Sequence, residues 1–244
     1  MPLPPKEWSI MMIAKDVTKK YGKLLANDRV SVDVAPGELA ILLGPNGAGK
    51  STLIKSICGL LRFDGSITID GDDNHTREAK CKLGFVPEFP ALYPMLTVYE
   101  HLEFIARGYK LEDWESRAEA LLKRFELDDK RNKLGKELSK GMQQKLSVCC
   151  AVLPQPRALI LDEPLVGLDP RGIRELKTLL LELKKDGCAL LVSTHIIDSV
   201  EDDWDKAYIM VNGRIGHACR RTDADWQKLE DIYFSITEKA GNNQ

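Results

Sequence analysis

The apolar residues change period several times along the chain. Over residues 8–34 apolar and polar positions alternate, as in half-buried strands, around a turn at Tyr21 and Gly22. Residues 38–43 are almost wholly apolar, the pattern of a strand covered on both faces. That run ends in a glycine-rich loop, and a helix is predicted from about Gly49 to Leu60. Residues 66–70 alternate again between glycines, and residues 83–86 form another buried run. Over residues 97–153 the period is helical throughout. Trp114, Ala118, Leu121, Leu122 and Phe125 share one face, and residues 146–153 are apolar nearly all round. Strand character returns at residues 158–161 and 189–193. Between them Asp169 is a good helix N-cap and Pro170 a good first helical residue. They precede a stripe of Ile173, Leu176, Leu179, Leu180 and Leu183. Residues 207–211, the Asn212-Gly213 turn and residues 214–215 predict a hairpin, and residues 223–236 an amphipathic helix with a polar tail. Residues 1–7, with three prolines, predict an unstructured lead-in. A helical block set between two strand-rich blocks reads as an inserted subdomain in an α/β chain.

Composition narrows the classes. A hydrophobic fraction of 43% in 244 residues excludes a wholly disordered chain. The longest stretches without a charge are about 11 residues, against the roughly 20 that a spanning helix needs. A formal net charge of -2 gives no bulk argument for nucleic acid or anionic lipid as partner. The six cysteines (Cys58, Cys81, Cys149, Cys150, Cys188 and Cys219) contain no CxxC pair. They read as small buried hydrophobes in a reducing compartment.

Two motifs carry chemistry. Gly44-Pro45-Asn46-Gly47-Ala48-Gly49-Lys50-Ser51-Thr52 fits GxxxxGK[ST], between a buried strand and a helix, which is the context that pattern requires. Its glycines let backbone N–H groups turn around phosphate oxygens, and the helix adds the positive end of its dipole. Lys50 supplies a charge for the β- and γ-phosphates, and the Ser51 hydroxyl suits Mg²⁺. The second motif is the strand ending in Asp162 and Glu163. Successive strand residues face opposite ways, so the two carboxylates have separate tasks. Asp162 suits Mg²⁺ through a water, and Glu163 suits the attacking water, as general base or polarising group. A phosphate cradle with such carboxylates implies nucleotide hydrolysis.

By its two motifs, by Pro87-Glu88-Phe89-Pro90-Ala91-Leu92-Tyr93-Pro94 and by Leu138-Ser139-Lys140-Gly141-Met142, the chain resembles from about Ile13 to Ile215 the ATP-binding-cassette ATPases, most like bacterial subunits of exporter-type systems. Leu138-Ser139-Lys140-Gly141-Met142 resembles the LSGGQ signature, Gly167-Leu168-Asp169-Pro170 the loop after the acidic motif, and Ser193-Thr194-His195 the switch histidine. Tyr21 stands where the family stacks an aromatic ring on adenine. The resemblance implies ATP and Mg²⁺ as cofactors, with Lys50, Glu163 and His195 as the catalytic residues. Ser139 is a plausible N-cap, and Gly141 lets backbone approach a ligand. The family offers that helix start to the γ-phosphate of ATP on a second chain, so a homodimer or a heterodimer with another cassette is implied. Two departures stand out. Lys140 and Met142 replace Gly and Gln, and Glu88 stands where the family has a Gln that senses Mg²⁺ and links core to helical subdomain. A carboxylate there can still face Mg²⁺.

The implied fold is a P-loop NTPase core, a mixed sheet with flanking helices, carrying an antiparallel β subdomain and an inserted α-helical subdomain. The expected divisions are 8–86 with 157–215 for the ATP-binding core, 87–156 for the helical signature subdomain, and 216–244 for a C-terminal helix and tail. The implied function is the ATPase subunit of a transporter, cytoplasmic and docked through the Glu88 side on a separate membrane-spanning chain. The alternative is a soluble cassette working on ribosomes or nucleic acid. No nucleic-acid partner is expected. Such members carry two cassettes, zinc motifs or long coiled coils, and this chain has none of these.

Overall fold

The computed structural model describes residues 11–196, 204–223 and 226–241. The proline-rich lead-in and the predicted strand start at Trp8 lie outside the described residues. Three strand runs are buried from end to end: β3 (Leu39–Leu43), β7 (Ala158–Asp162) and β8 (Ala189–Thr194). With β6 (Leu83–Val86), β9 (Lys206–Val211) and β10 (Arg214–Arg220) they form one sheet in the order β10-β9-β3-β8-β7-β6. Every pair in it is parallel except the β9–β10 hairpin.

Strand parity divides the core in two. Leu39, Ile41 and Leu43 of β3, with Leu159, Leu161, Leu190 and Val192, face the helical side of the sheet. Ala40, Leu42, Ala158, Ile160, Ala189 and Leu191 face the other way, onto Leu53, Ile54 and Ile57 of α1 (Lys50–Ile57). The alanines on that face leave room for a helix. Beyond α1 lies an antiparallel sheet, β2-β1-β4-β5, built from β1 (Met12–Tyr21), β2 (Leu24–Val34), β4 (Asp64–Ile69) and β5 (Asp72–Asp73). The order is thus mixed sheet, helix, antiparallel sheet.

The other face of the large sheet carries α3 (Val98–Tyr109), α4 (Glu115–Arg124), α5 (Lys140–Val152), α6 (Pro170–Lys185) and α7 (Trp226–Gly241). Asp169 caps α6 with Pro170 in the first turn, as read from the sequence, and Thr97 with Glu100 closes a capping box on α3 that the sequence reading does not include. Leu229 and Tyr233 seat α7 in the core.

Five expectations need correction. The helical period does not run unbroken from 97 to 153. Between α4 and α5 the chain is irregular with two single 3-10 turns, because Glu126 adopts a φ of 57° and Gly135 packs where a β-carbon would lie 2.6 Å from the Tyr93 carbonyl oxygen. The first helix stops at Ile57, and Leu60 is exposed in the turn beyond it. A short α2 (Arg77–Lys82), capped by Thr76, was not anticipated, and β10 continues five residues past Ile215. Finally, Cys58, Cys149 and Cys188 are buried as expected, but Cys150 and Cys219 are only partly covered and Cys81 on α2 is exposed.

Candidate functional site

Parallel strands deliver side chains at their carboxyl ends, and the crevice there is where open α/β sheets take ligands. The loop after β3, the acidic pair ending β7 and His195 after β8 meet at one such edge, beside a cleft of about 750 Å³. Tyr21, Asn46, Gly47, Ala48, Gly49, Lys50, Ser51, Thr52, Glu88, Glu163 and His195 line it. Gly44 and Pro45 lie behind the loop, where their carbonyl oxygens accept hydrogen bonds from Lys50 Nζ at 2.6 and 3.3 Å.

Lys50 and Glu163 are both buried, and Lys50 Nζ lies 3.4 Å from Glu163 Oε1. The second carboxylate oxygen faces His195, with Nδ1 at 2.9 Å and the backbone N–H donating at 3.3 Å. The Nδ1 approach is close but lies outside hydrogen-bond geometry. Glu163 holds a φ of 48°. A non-glycine residue in that region stores strain, a cost met where surrounding structure fixes the side chain's aim. Here Ser193 fixes it, since Glu163 N donates to Ser193 O at 3.2 Å and to Ser193 Oγ at 3.1 Å. The Ser193 hydroxyl in turn donates to Asp162 Oδ1 at 2.6 Å. Asp162, of opposite parity to Glu163, is buried on the α1 side of the sheet. Its charge adds to burial in pushing the Cys58 thiol up.

The phosphate loop is clamped from two directions. Asn27 Nδ2 of β2 donates to Gly49 O at 3.1 Å, and Gly213 N of the β9–β10 turn donates to Ala48 O at 2.9 Å. Asp28 N closes the ring by donating to Gly213 O at 2.8 Å. Neither Asn27 nor Ser193 stood out as a site residue. For Ser193 the signal is a polar side chain in the apolar run of β8, shortly before His195, whereas Asn27 stands among the polar Asp28 and Arg29 and carries none.

Among the described residues no cluster of three or more His, Cys, Asp or Glu side chains could hold a metal ion by itself. The donor set still fits Mg²⁺, which commonly takes one or two protein oxygens and completes its shell with phosphate and water. Ser51 and Glu88 line the cleft, whereas Asp162 is buried and outside that lining, with one oxygen left beyond its bond from Ser193.

Ser139 and Gly141 are not brought to this cleft. Ser139 caps α5, accepting from Met142 N at 3.3 Å, and is exposed. Gly141 packs against the turn after Glu163, where a β-carbon would lie 2.7 Å from Gly167 O.

Comparison with known proteins converges on one family. Residues 27–166 match the family described as ABC transporter. The chain is 36% identical to the ABC-type transporter ATP-binding protein EcsA of Bacillus subtilis (strain 168), over 95% of this chain and 99% of that protein. It is 35% identical to the SkfA peptide export ATP-binding protein SkfE of the same organism, over 84% of this chain and 87% of that one. A solved ATP-binding subunit of an ABC transporter matches with a TM-score of 0.88 at 35% identity, covering 93% of this chain and 99% of that chain.

Proposed function

The chain belongs to the ABC transporter family as one of its ATP-binding, ATP-hydrolysing subunits, and from that premise we propose how its own residues do the work. Tyr21 stacks on adenine at the rim of the cleft. The N–H groups of the 44–52 loop and the start of α1 hold the phosphates, with Lys50 between the β- and γ-groups. Bound Mg²⁺, held by Ser51 and Asp162 and faced by Glu88, supplies charge neutralisation on the phosphate oxygens. Glu163 orients the attacking water and takes its proton, and His195 holds Glu163 in place and faces the γ-phosphate. The observation that carries this reading is the buried Glu163 carboxylate, set between Lys50 and His195 beside the cleft.

The partner side follows from surface chemistry. No helix among the described residues is long and apolar enough to cross a membrane. A second cavity of about 590 Å³, between the sheet edge and the helical block, is lined by Leu83, Phe85, Pro87, Leu92, Tyr93 and Phe104. Leu60, Tyr93 and Phe104 there are exposed, and an open apolar patch of this kind marks an interaction surface. We assign it to a cytoplasmic segment of the membrane-spanning subunit, and on that assignment this chain docks on the inner face of the membrane. Export is supported by the likeness to a peptide export ATP-binding protein. The same reading keeps the division into a core of 8–86 with 157–215, a helical subdomain of 87–156 and a C-terminal segment of 216–244, except that β10 carries the core sheet on to Arg220.

The test is direct. Lys50→Ala removes a charge-assisted phosphate contact, so ATP affinity falls by about tenfold or more. Glu163→Gln leaves ATP bound but abolishes turnover. Undiminished ATP binding by folded Lys50→Ala, or normal turnover by Glu163→Gln, contradicts these assignments.

A further inference from the structure

Lys140 is the first residue of α5, directly after the capping Ser139. A cation there faces the positive end of the helix dipole, so its charge needs another partner. Its Nζ lies 5.8 Å from the centroid of the Phe89 ring, within range of the negative face of an aromatic ring. Its stem covers Gly167, with Cγ, Cδ and Cε each 3.5 Å from where a β-carbon on Gly167 would stand. Phe89 adjoins Glu88, which lines the cleft. Gly167 belongs to the turn that leaves Glu163, in which Val166 N donates to Glu163 O at 3.3 Å. The same end of α5 grips that turn twice more, through the close approach of Gly141 to Gly167 and the ion pair of Lys145 Nζ with Asp169 Oδ1 at 2.9 Å.

One side chain therefore touches three segments: the start of α5, the loop carrying Glu88 and the turn carrying Glu163. We propose that Lys140 is a positioning residue for ATP hydrolysis, its cation on Phe89 and its stem on Gly167 holding both loops in register with the Ser139–Gly141 helix start. The LSGGQ pattern has glycine at this position, which offers no side chain to bridge, so the device belongs to this chain's own wording. The proposal rests on the reading of Glu88 and Glu163 as cleft residues. Phe89 also opens the stretch that continues through Ala91, Leu92 and Tyr93 into the apolar cavity, so the contact lies between nucleotide cleft and docking groove.

The test uses the full chain with five variants: Lys140→Met, which keeps the stem and loses the charge, Lys140→Arg, Lys140→Gly, Phe89→Leu, and Lys140→Met combined with Phe89→Leu. Steady-state ATPase gives kcat and KM, a fluorescent ADP reports on the phosphate loop, and thermal melting checks folding. Lys140→Met and Phe89→Leu each lower kcat roughly two- to fivefold, equivalent to about 0.5–1 kcal/mol, with KM and ADP affinity unchanged. Lys140→Arg retains the wild-type rate. Lys140→Gly falls at least as far as Lys140→Met, since it loses the stem as well. The double variant is no slower than either single one, because both remove the same contact. Wild-type kcat in Lys140→Met and in Phe89→Leu overturns the proposal, as do losses that multiply in the double variant. Should Lys140→Met fail to fold, Phe89→Leu at an exposed loop position decides alone by its kcat. ADP binding with unchanged variants sinks this inference only, whereas a wild-type chain that binds no ADP sinks the nucleotide reading with it.

Discussion

At Gly49 the backbone has a φ of +103°, and a β-carbon there would lie 2.4 Å from the Ala26 carbonyl oxygen and 2.8 Å from Asn27 Nδ2. Neither neighbour can yield, because Asn27 is buried and its amide already holds Gly49 O. Gly49→Ala therefore distorts the loop where its N–H groups must converge on phosphate, and ATP affinity drops by about an order of magnitude or more, with a lower melting temperature. Equal affinity in titrations of wild type and variant refutes this. Ser193 makes a different case, since its hydroxyl donates to Asp162 and accepts from Glu163 N. Ser193→Ala leaves a buried carboxylate short of a donor, a cost of roughly 1–3 kcal/mol, and chemical denaturation measures it. A variant with wild-type stability shows that solvent replaces the hydroxyl. Lys50 and Ser51 were legible in the sequence because their spacing is tied to one local geometry, strand to loop to helix, and Glu163 because it follows, with Asp162, a wholly apolar strand run. Asn27 and Ser193 were not, because they act across strands that the sequence does not show to be neighbours.

The elements were legible where burial is two-sided or caps are strong. β3, β7 and β8 announce themselves as apolar runs, and Asp169-Pro170 marks the start of α6 to the residue. α2 escaped notice because its six residues, four of them charged, bury only Ala79. That helix matters for thiol chemistry, since Cys81 is exposed on it while burial pushes the Cys150 and Cys188 thiols up to about 12 and Cys149 well above its usual range. Iodoacetamide on the native chain at neutral pH thus modifies Cys81 long before Cys149, Cys150 or Cys188, as read by peptide mass spectrometry. Equal labelling of Cys149 and Cys81 means that α5 is not packed as described. At the start of α6, the hydrogen bond from Lys145 holds the Asp169 carboxyl below its ordinary 3.8. A depressed carboxyl pKa stabilises the fold above the unfolded value and loses that contribution as pH falls through the folded one. Asp169→Asn keeps the cap but not the charge, so it melts slightly below wild type at neutral pH, by no more than about 1 kcal/mol at this half-exposed site. The gap closes as pH falls below about 3.8, and a gap that persists unchanged in acid assigns the loss to something other than this ion pair.

At the scale of the molecule, strand order is what the sequence could not supply. β3 pairs with β8 and β9, over 140 residues away, and such long-range register depends on the assembled core rather than on local pattern. The same assembly separates the two halves of the proposed chemistry. Glu163 and Lys50 line the cleft, while Ser139 stands exposed at the start of α5 and is not among the residues that line it. The start of α5, with Ser139 outside the lining of this chain's own cleft, is suited to an anion. On this reading ATP bound to one chain is completed by Ser139 and Gly141 of a second, and hydrolysis dissolves the pair. Glu163→Gln keeps the shape of the side chain while removing the base and a negative charge near the γ-phosphate. With ATP it therefore accumulates as a dimer, seen by size exclusion with light scattering, and without ATP it runs as a monomer. Adding Ser139→Arg sets a bulky cation at the helix start, so the dimer disperses while ATP still binds the phosphate loop at unchanged affinity. A Glu163→Gln chain that binds ATP yet stays monomeric at high concentration rejects the homodimer and leaves a different cassette as the required partner. A dimer that survives Ser139→Arg removes the start of α5 from the interface.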